Sequence, residues 1–217
     1  MFSKEILQEI KNNIYKNGFY HSSSLNIESF FELSKQLGKI KQYTNVQLDN
    51  TKDEFPYISG EVDFHTDNPT IEILGWFTHI QDKDDGAIFL INIEDILSKM
   101  TSTEIQYLTQ IKIKMPSRKN DYYPFLTKGK KPHIFYIPPH CWKENPELKD
   151  KENQAIMKFH KIVLNARKNK EYHIINLQTG DVLFLNNFFM IHGRNKIAKD
   201  SQRFLERVFI DPNHNHT

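Results

Sequence analysis

Cysteine is almost absent from this chain. Cys141 stands alone among 217 residues, which excludes an internal disulfide and makes a reducing, cytoplasmic setting the expectation. No apolar run approaches the ~20 residues that a membrane-spanning helix needs. A surplus of one charge is missing too. The balance of 29 Lys and Arg against 27 Asp and Glu leaves a net charge of +2, too small to suggest a nucleic-acid surface. Basic residues gather only at Lys128-Gly129-Lys130-Lys131 and Arg167-Lys168-Asn169-Lys170, which read as solvated loop or helix-end charge. The start, Met1-Phe2-Ser3-Lys4-Glu5, lacks the basic-then-apolar order of a secretion signal. Internal repeats and low-complexity stretches are absent as well. The expected partner is therefore a small molecule, and the length suits one domain with a real core.

The pattern along the chain is helical first and mostly stranded afterwards. Ile6, Leu7, Ile10, Ile14 and Tyr15 recur at helical spacing over 3–17 and stop at Asn17-Gly18. Phe19–His21 reads as a short strand. Asn26 opens a second helix that ends near Leu37-Gly38. Strands are predicted over 39–47, 57–64, 72–80, 87–91, 111–115, 134–137, 172–177, 182–185 and 204–210, with short helices over 93–99 and 103–109. The clearest helix spans 152–168, with Ile156, Phe159, Ile162, Val163 and Ala166 near one face. Residues 116–133, with Pro116, Pro124, Gly129 and Pro132, form the least regular segment and a candidate mobile lid. Short strands separated by turns, with a few helices, predict an α+β chain that is mainly β, built on a double-stranded β-helix (jelly-roll) core. The layout is a single domain over 1–217, with an N-terminal part over 1–45, the core over 57–210 and a tail over 211–217. The tail histidines His214 and His216 are read as part of a polar end rather than a metal site.

Chemistry concentrates at Phe64-His65-Thr66-Asp67-Asn68. In an extended strand alternate side chains share a face, so His65 and Asp67 can reach toward one point. That makes two ligands, and an ion normally needs a third. The best candidate lies in Met190-Ile191-His192-Gly193-Arg194. Two histidines and one carboxylate on one side of an ion, the other positions open, is the facial set of non-haem Fe(II) oxygenases. Taken alone, each of these histidines has an ordinary reading as a hydrogen-bonded structural residue. His79, His133, His140, His160 and His173 lack such context and are read that way.

The second half of the chain makes the pattern specific. Gly180-Asp181-Val182-Leu183-Phe184-Leu185-Asn186-Asn187 runs into His192-Gly193-Arg194, and Arg203 and Arg207 follow in Gln202-Arg203-Phe204-Leu205-Glu206-Arg207. With His65-Thr66-Asp67, this resembles the Fe(II)/2-oxoglutarate dioxygenases of the taurine dioxygenase and clavaminate synthase-like superfamily. Their pattern is a His-x-Asp/Glu pair, a "GD…(D/N)N…HGR" strand and arginines in a final strand. The likeness runs from about Tyr57 to Ile210. It implies Fe(II), 2-oxoglutarate and O2, with His65, Asp67 and His192 as the catalytic metal ligands. Arg203 would hold the distal carboxylate of 2-oxoglutarate, a task suited to a planar bidentate donor. Arg207, four residues on and on the same strand face, is implied as a substrate-carboxylate residue, and Arg194 as a brace or a substrate contact. Where relatives carry a threonine that touches 2-oxoglutarate this chain has Ala87, and Asn92 is the candidate to compensate. Phe64, Trp76 and Phe188 are candidates for a dry wall.

The function so implied is hydroxylation of an unactivated C–H bond in a small carboxylate-bearing metabolite, an amino acid or derivative, with release of succinate and CO2. Desaturation is the variant outcome. Related halogenases have a small residue at the position of Asp67, so a carboxylate favours hydroxylation over chlorination. A carrier-bound amino acid and a dimer partner that helps close the site are further expectations. Two rivals stand beside this reading: a cupin-like metal hydrolase or isomerase, and an inactive binding module on the same fold.

Overall fold

Two antiparallel sheets face each other, and the alternation of side chains on each strand decides what lies between them. In a computed structural model, residues 2–23, 25–49, 51, 57–82, 85–115, 121–129, 131–142 and 147–212 are described. The larger sheet holds β1 (Phe19–Ser22), β2 (Lys39–Gln47), β4 (Ile73–Ile80), β11 (Val182–Asn186) and β13 (Phe204–Asp211), in the order β1-β11-β4-β13-β2. The smaller holds β3 (Val62–His65), β5 (Ile88–Asn92), β10 (His173–Ile175) and β12 (Met190–Arg194), in the order β10-β5-β12-β3. Neighbours in these orders are far apart in sequence, so residues more than a hundred positions apart become cross-strand partners.

On the larger sheet one parity faces the helices and the other the smaller sheet. Ile73, Phe77, Val182, Phe184, Val208 and Ile210 pack against Ile10 and Ile14, from the first helical segment, and Phe30, Leu33 and Leu37 of α2 (Ile27–Leu37). The opposite parity, with Leu74, Trp76, Leu183, Leu185, Leu205 and Phe209, joins the main core. The first helix is α1 (Lys4–Asn12), capped by the Ser3 side chain, and it widens into a π-turn over Asn13–Asn17. It is thus one apolar stripe in two helical forms. Asn26 caps α2 by accepting from the Ser29 amide.

The outer face of the smaller sheet is covered by helices. α3 (Ile93–Leu97) and α4 (Ser102–Leu108) lie beside α5 (Asp150–Lys168), whose Ile156, Phe159, Val163 and Ala166 are buried. Thr101 and Glu104 form a reciprocal capping box on α4. Arg167, near the end of α5, pairs with Asp63 at 2.5 Å and with Glu61, fastening the helix to β3.

Three sequence expectations change in the fold. The strand predicted over 57–64 is regular only over Val62–His65, and that over 134–137 only over His133–Ile134, which is β9. The segment 116–133 is not a lid in its described part. It contains β7 (Tyr122–Pro124), paired with β6 (Lys112–Lys114), and β8 (Leu126–Thr127), paired with β9. Phe125 is fully buried and meets Phe159 edge-on at 5.1 Å, so this stretch is core. Residues 116–120 and 130, and the tail histidines His214 and His216, lie outside the described residues.

Gly193 is where backbone approach is closest. Between the pairs His192–His65 and Arg194–Val62, a single residue of β12 faces two of β3, Asp63 and Phe64. This bulge turns both Val62 and His65 toward the inner face although they are three positions apart. A Cβ on Gly193 would stand 2.6 Å from the Val62 carbonyl oxygen and collide with the Phe89 ring. Gly193→Ala is therefore expected to destabilise the protein by about 2–3 kcal/mol in urea unfolding. Unchanged stability would mean that the strands part freely at this point.

Candidate metal centre

The pairing of β12 with β3 builds the centre. His192 lies directly opposite His65 across the two strands, and their rings come within 4.4 Å, centroid to centroid. Asp67 follows two residues after His65, just past the end of β3. Its Oδ1 lies 3.8 Å from His65 Nε2 and its Oδ2 lies 3.9 Å from His192 Nε2. One ligand atom from each of the three lies within 4.8 Å of the others, and among the described residues this is the only such group.

The polar environment favours metal-ready states. His65 Nδ1–H donates to the Asp63 carbonyl at 2.8 Å, a bond that selects the tautomer with an Nε2 lone pair turned to the centre. Burial lowers the pKa of His65 and pushes that of His192 down to about 3, so both imidazoles stay neutral. His192 Nε2 is buried with no hydrogen-bond partner among the described residues. Burial works against ionised Asp67, but the Arg207 guanidinium outweighs it and holds the carboxyl below its usual range. Two neutral imidazole nitrogens and one carboxylate are a donor set that fits Fe(II).

Asn187 holds this geometry, and sequence reasoning assigned it no role. It is 1% exposed and lies in the turn between β11 and β12. Its Oδ1 accepts from the Asp67 amide at 2.8 Å, and its Nδ2 donates to the carbonyls of Asn68 and Ile71 at 3.1 and 2.9 Å. One side chain thus ties the Asp67 turn to the hairpin that carries His192. On the other side, the Thr66 amide donates to the Tyr136 carbonyl at 2.8 Å and the Tyr136 amide to the Thr66 hydroxyl at 2.9 Å. The available signal was a pair of amides, Asn186-Asn187, inside an otherwise apolar run. Asn187→Ala strands three backbone groups, and is expected to cost about 2–4 kcal/mol and ~10–100-fold in Co(II) affinity. Calorimetric titration with Co(II), alongside urea unfolding, checks this. Wild-type affinity in the variant would remove Asn187 from the centre.

The arginines reach the same cavity. Arg203, Leu205, Arg207 and Phe209 share the inner parity of β13 and its approach, and the cavity beside the triad is lined by His65, His192, Trp76, Arg194, Arg203 and Arg207. Trp76, directly opposite Arg207 on β4, sets its ring edge-on to His192 at 5.8 Å. Arg207 is 7% exposed; its Nη1 donates to Asp67 Oδ2 at 3.1 Å, its guanidinium lies over the Phe209 ring, and its Nε has no partner among the described residues. Arg203 is 4% exposed; its Nε donates to Gln81 Oε1 at 2.9 Å and its Nη2 is likewise unpartnered. Burial, with Arg194 nearby, pushes the Arg203 pKa down to about 9.

Other residues singled out in the sequence make different contacts. Arg194 spends its guanidinium on the backbone carbonyls of Asn195, Ile58 and Gly60 at 2.7–2.9 Å, which makes it a brace for the segment before β3. Asn92 caps α3, its side chain accepting from the Glu94 amide at 2.9 Å, and is not among the residues that line the cavity. Phe64 meets Phe89 and Tyr172, on the helix-covered face and away from the metal ligands, while Phe188 stacks on His133. Of the three wall candidates only Trp76 lines the cavity. Ala87 is buried, and its amide donates to Asp85.

No protein-family model matches the chain, and no curated protein matches it in sequence. Solved structures do match. Asparagine oxygenase, solved with Fe(II), (2S,3S)-3-hydroxyasparagine and succinate, superposes with a TM-score of 0.75 at 12% identity, over 97% of this chain and 80% of that one. The non-haem iron oxygenase OrfP, solved with Fe and 2-oxoglutaric acid, gives 0.74 at 15% identity, again over 97% and 80%. This chain therefore shares its fold with asparagine oxygenase and with the non-haem iron oxygenase OrfP.

Proposed function

We propose that this chain is an Fe(II)- and 2-oxoglutarate-dependent oxygenase that hydroxylates an amino acid or a similar small carboxylate-bearing molecule. Its two facing sheets are read as a double-stranded β-helix, or jelly roll. The observation that carries the proposal is the convergence of His65, Asp67 and His192 within 4.8 Å beside a cavity that Arg203 and Arg207 also line. Support comes from the structural neighbours, since asparagine oxygenase was solved with a hydroxylated asparagine and OrfP with hydroxylated arginine.

Each residue has a role that follows from its surroundings. His65 and His192 present neutral imidazoles, and Asp67 the single anion, to Fe(II). Iron held there would supply the redox chemistry by which 2-oxoglutarate, O2 and the C–H substrate become succinate, CO2 and the hydroxylated substrate. Arg203 lines the cavity and keeps an Nη2 without a partner among the described residues, suited to the distal carboxylate of the co-substrate. Arg207 orients Asp67 first, and its Nε remains to receive a substrate carboxylate. Trp76 keeps water from one side of His192.

The test is to incubate the protein with Fe(II), 2-oxoglutarate and single amino acids in air and to measure succinate together with substrate mass. The expected result is succinate release stimulated by one amino-acid class, with a matching gain of one oxygen atom. Binding of 2-oxoglutarate without stimulation by any amino acid would overturn the substrate class.

A further inference from the structure

Arg203 carries a buried charge whose hydrogen-bonding partner is neutral. Its Nε donates to the side-chain oxygen of Gln81 at 2.9 Å. The orientation of that amide is fixed, because Gln81 Nε2 donates to the Leu177 carbonyl at 2.7 Å and a carbonyl can only accept. Gln81 Oε1 must therefore face Arg203, and it accepts the Asp82 amide as well, at 2.9 Å. Asp82 acts on Arg203 through space, while its oxygens accept from the Asp85 and Ala198 amides at 3.1 and 3.2 Å.

The backbone closes in from another side. Gly86 has φ +91°, and a Cβ there would stand 3.2 Å from Arg203 Nε and 2.9 Å from Ile197 Cγ2. Gln81 holds the guanidinium on one side and Gly86 closes on it from another; its Nη2 is buried with no partner among the described residues, and Arg203 lines the cavity.

We propose that Gln81 is the positioning residue for Arg203, fixing the guanidinium without neutralising it, and that this makes the site select dicarboxylates over monocarboxylates. The inference rests on the reading of Arg203 as the distal-carboxylate anchor. A carboxylate at position 81 would accept the same bond but supply an internal counter-ion, so an incoming carboxylate would compete with it. A side chain with no acceptor would leave Arg203 Nε unsatisfied and the guanidinium free to turn.

The experiment compares anaerobic binding of 2-oxoglutarate and 2-oxobutyrate to the Fe(II)-loaded protein. The two share the 2-oxo acid head, and only the first has a distal carboxylate. Wild type is expected to prefer 2-oxoglutarate by about 100-fold. Gln81→Glu should lose about 30-fold or more for 2-oxoglutarate while 2-oxobutyrate binding stays near wild type. Gln81→Met should lose about 10-fold, again for 2-oxoglutarate alone, and carries the test by itself if Gln81→Glu does not fold. Equal loss for both ligands would mean that Gln81 is structural, and loss for neither that it is irrelevant; each overturns the proposal. No preference in the wild type would sink the Arg203 reading, and the role of Gln81 with it.

Discussion

Replacing Asp67 with alanine is expected to abolish metal binding and also to destabilise the metal-free protein, by about 3–5 kcal/mol. The first effect removes the only anionic ligand of the triad. The second follows from the contact at 3.1 Å between Asp67 Oδ2 and Arg207 Nη1, in which the side chains are 11% and 9% exposed. Deleting the carboxylate leaves a buried guanidinium with no counter-ion, and that is where most of the penalty arises. The double variant Asp67→Ala/Arg207→Met should recover much of the stability and none of the metal affinity. Urea unfolding in chelator, with Co(II) titration of each variant, separates the two effects. An Asp67→Ala protein as stable as wild type would mean that Arg207 does not depend on Asp67.

Arg203→Met has the opposite signature. It should lose ~100-fold or more in 2-oxoglutarate affinity, yet be no less stable than wild type. Arg203 is buried, bonded to a neutral amide and pushed down in pKa by its surroundings. In the ligand-free protein its charge is a net cost that an apolar side chain of similar length avoids. Metal affinity should not change, because Arg203 hydrogen-bonds to Ser201 and Gln81 and, among the described residues, to no member of the triad. Loss of stability together with retained 2-oxoglutarate binding would assign Arg203 to the fold instead of the ligand.

The same strand logic explains what was legible in the sequence. Positions 203 and 207 share a parity, and both line one cavity as expected. His192 was found by its motif, but its place opposite His65 comes from the order β5-β12-β3, which no local pattern encodes. His65 and Asp67 were expected on one strand face. In the structure β3 ends at His65, and the reach of Asp67 depends on the turn that Asn187 ties down. Phe64 shows the cost of ignoring parity, since as the neighbour of His65 it faces the other way and packs on Phe89 and Tyr172. Asn92, followed by Ile93-Glu94-Asp95, carries a helix-cap signature, and capping is what its side chain does. The stretch 116–133 looked irregular because strands of two or three residues have no measurable period. Burial of Phe125 and Leu126, not their local pattern, makes the described part of that segment core.

The most direct test of the whole account is an anaerobic titration of the metal-free protein with Fe(II) and then 2-oxoglutarate, watching for the weak visible charge-transfer band of a 2-oxo acid chelated to Fe(II). The band is expected to appear at one equivalent of iron, to be lost in His192→Ala, and to saturate far later in Arg203→Met. Iron binding without the band would contradict it and favour a metal-dependent hydrolase or isomerase on the same fold, and failure to bind iron at all would leave the fold with a different use.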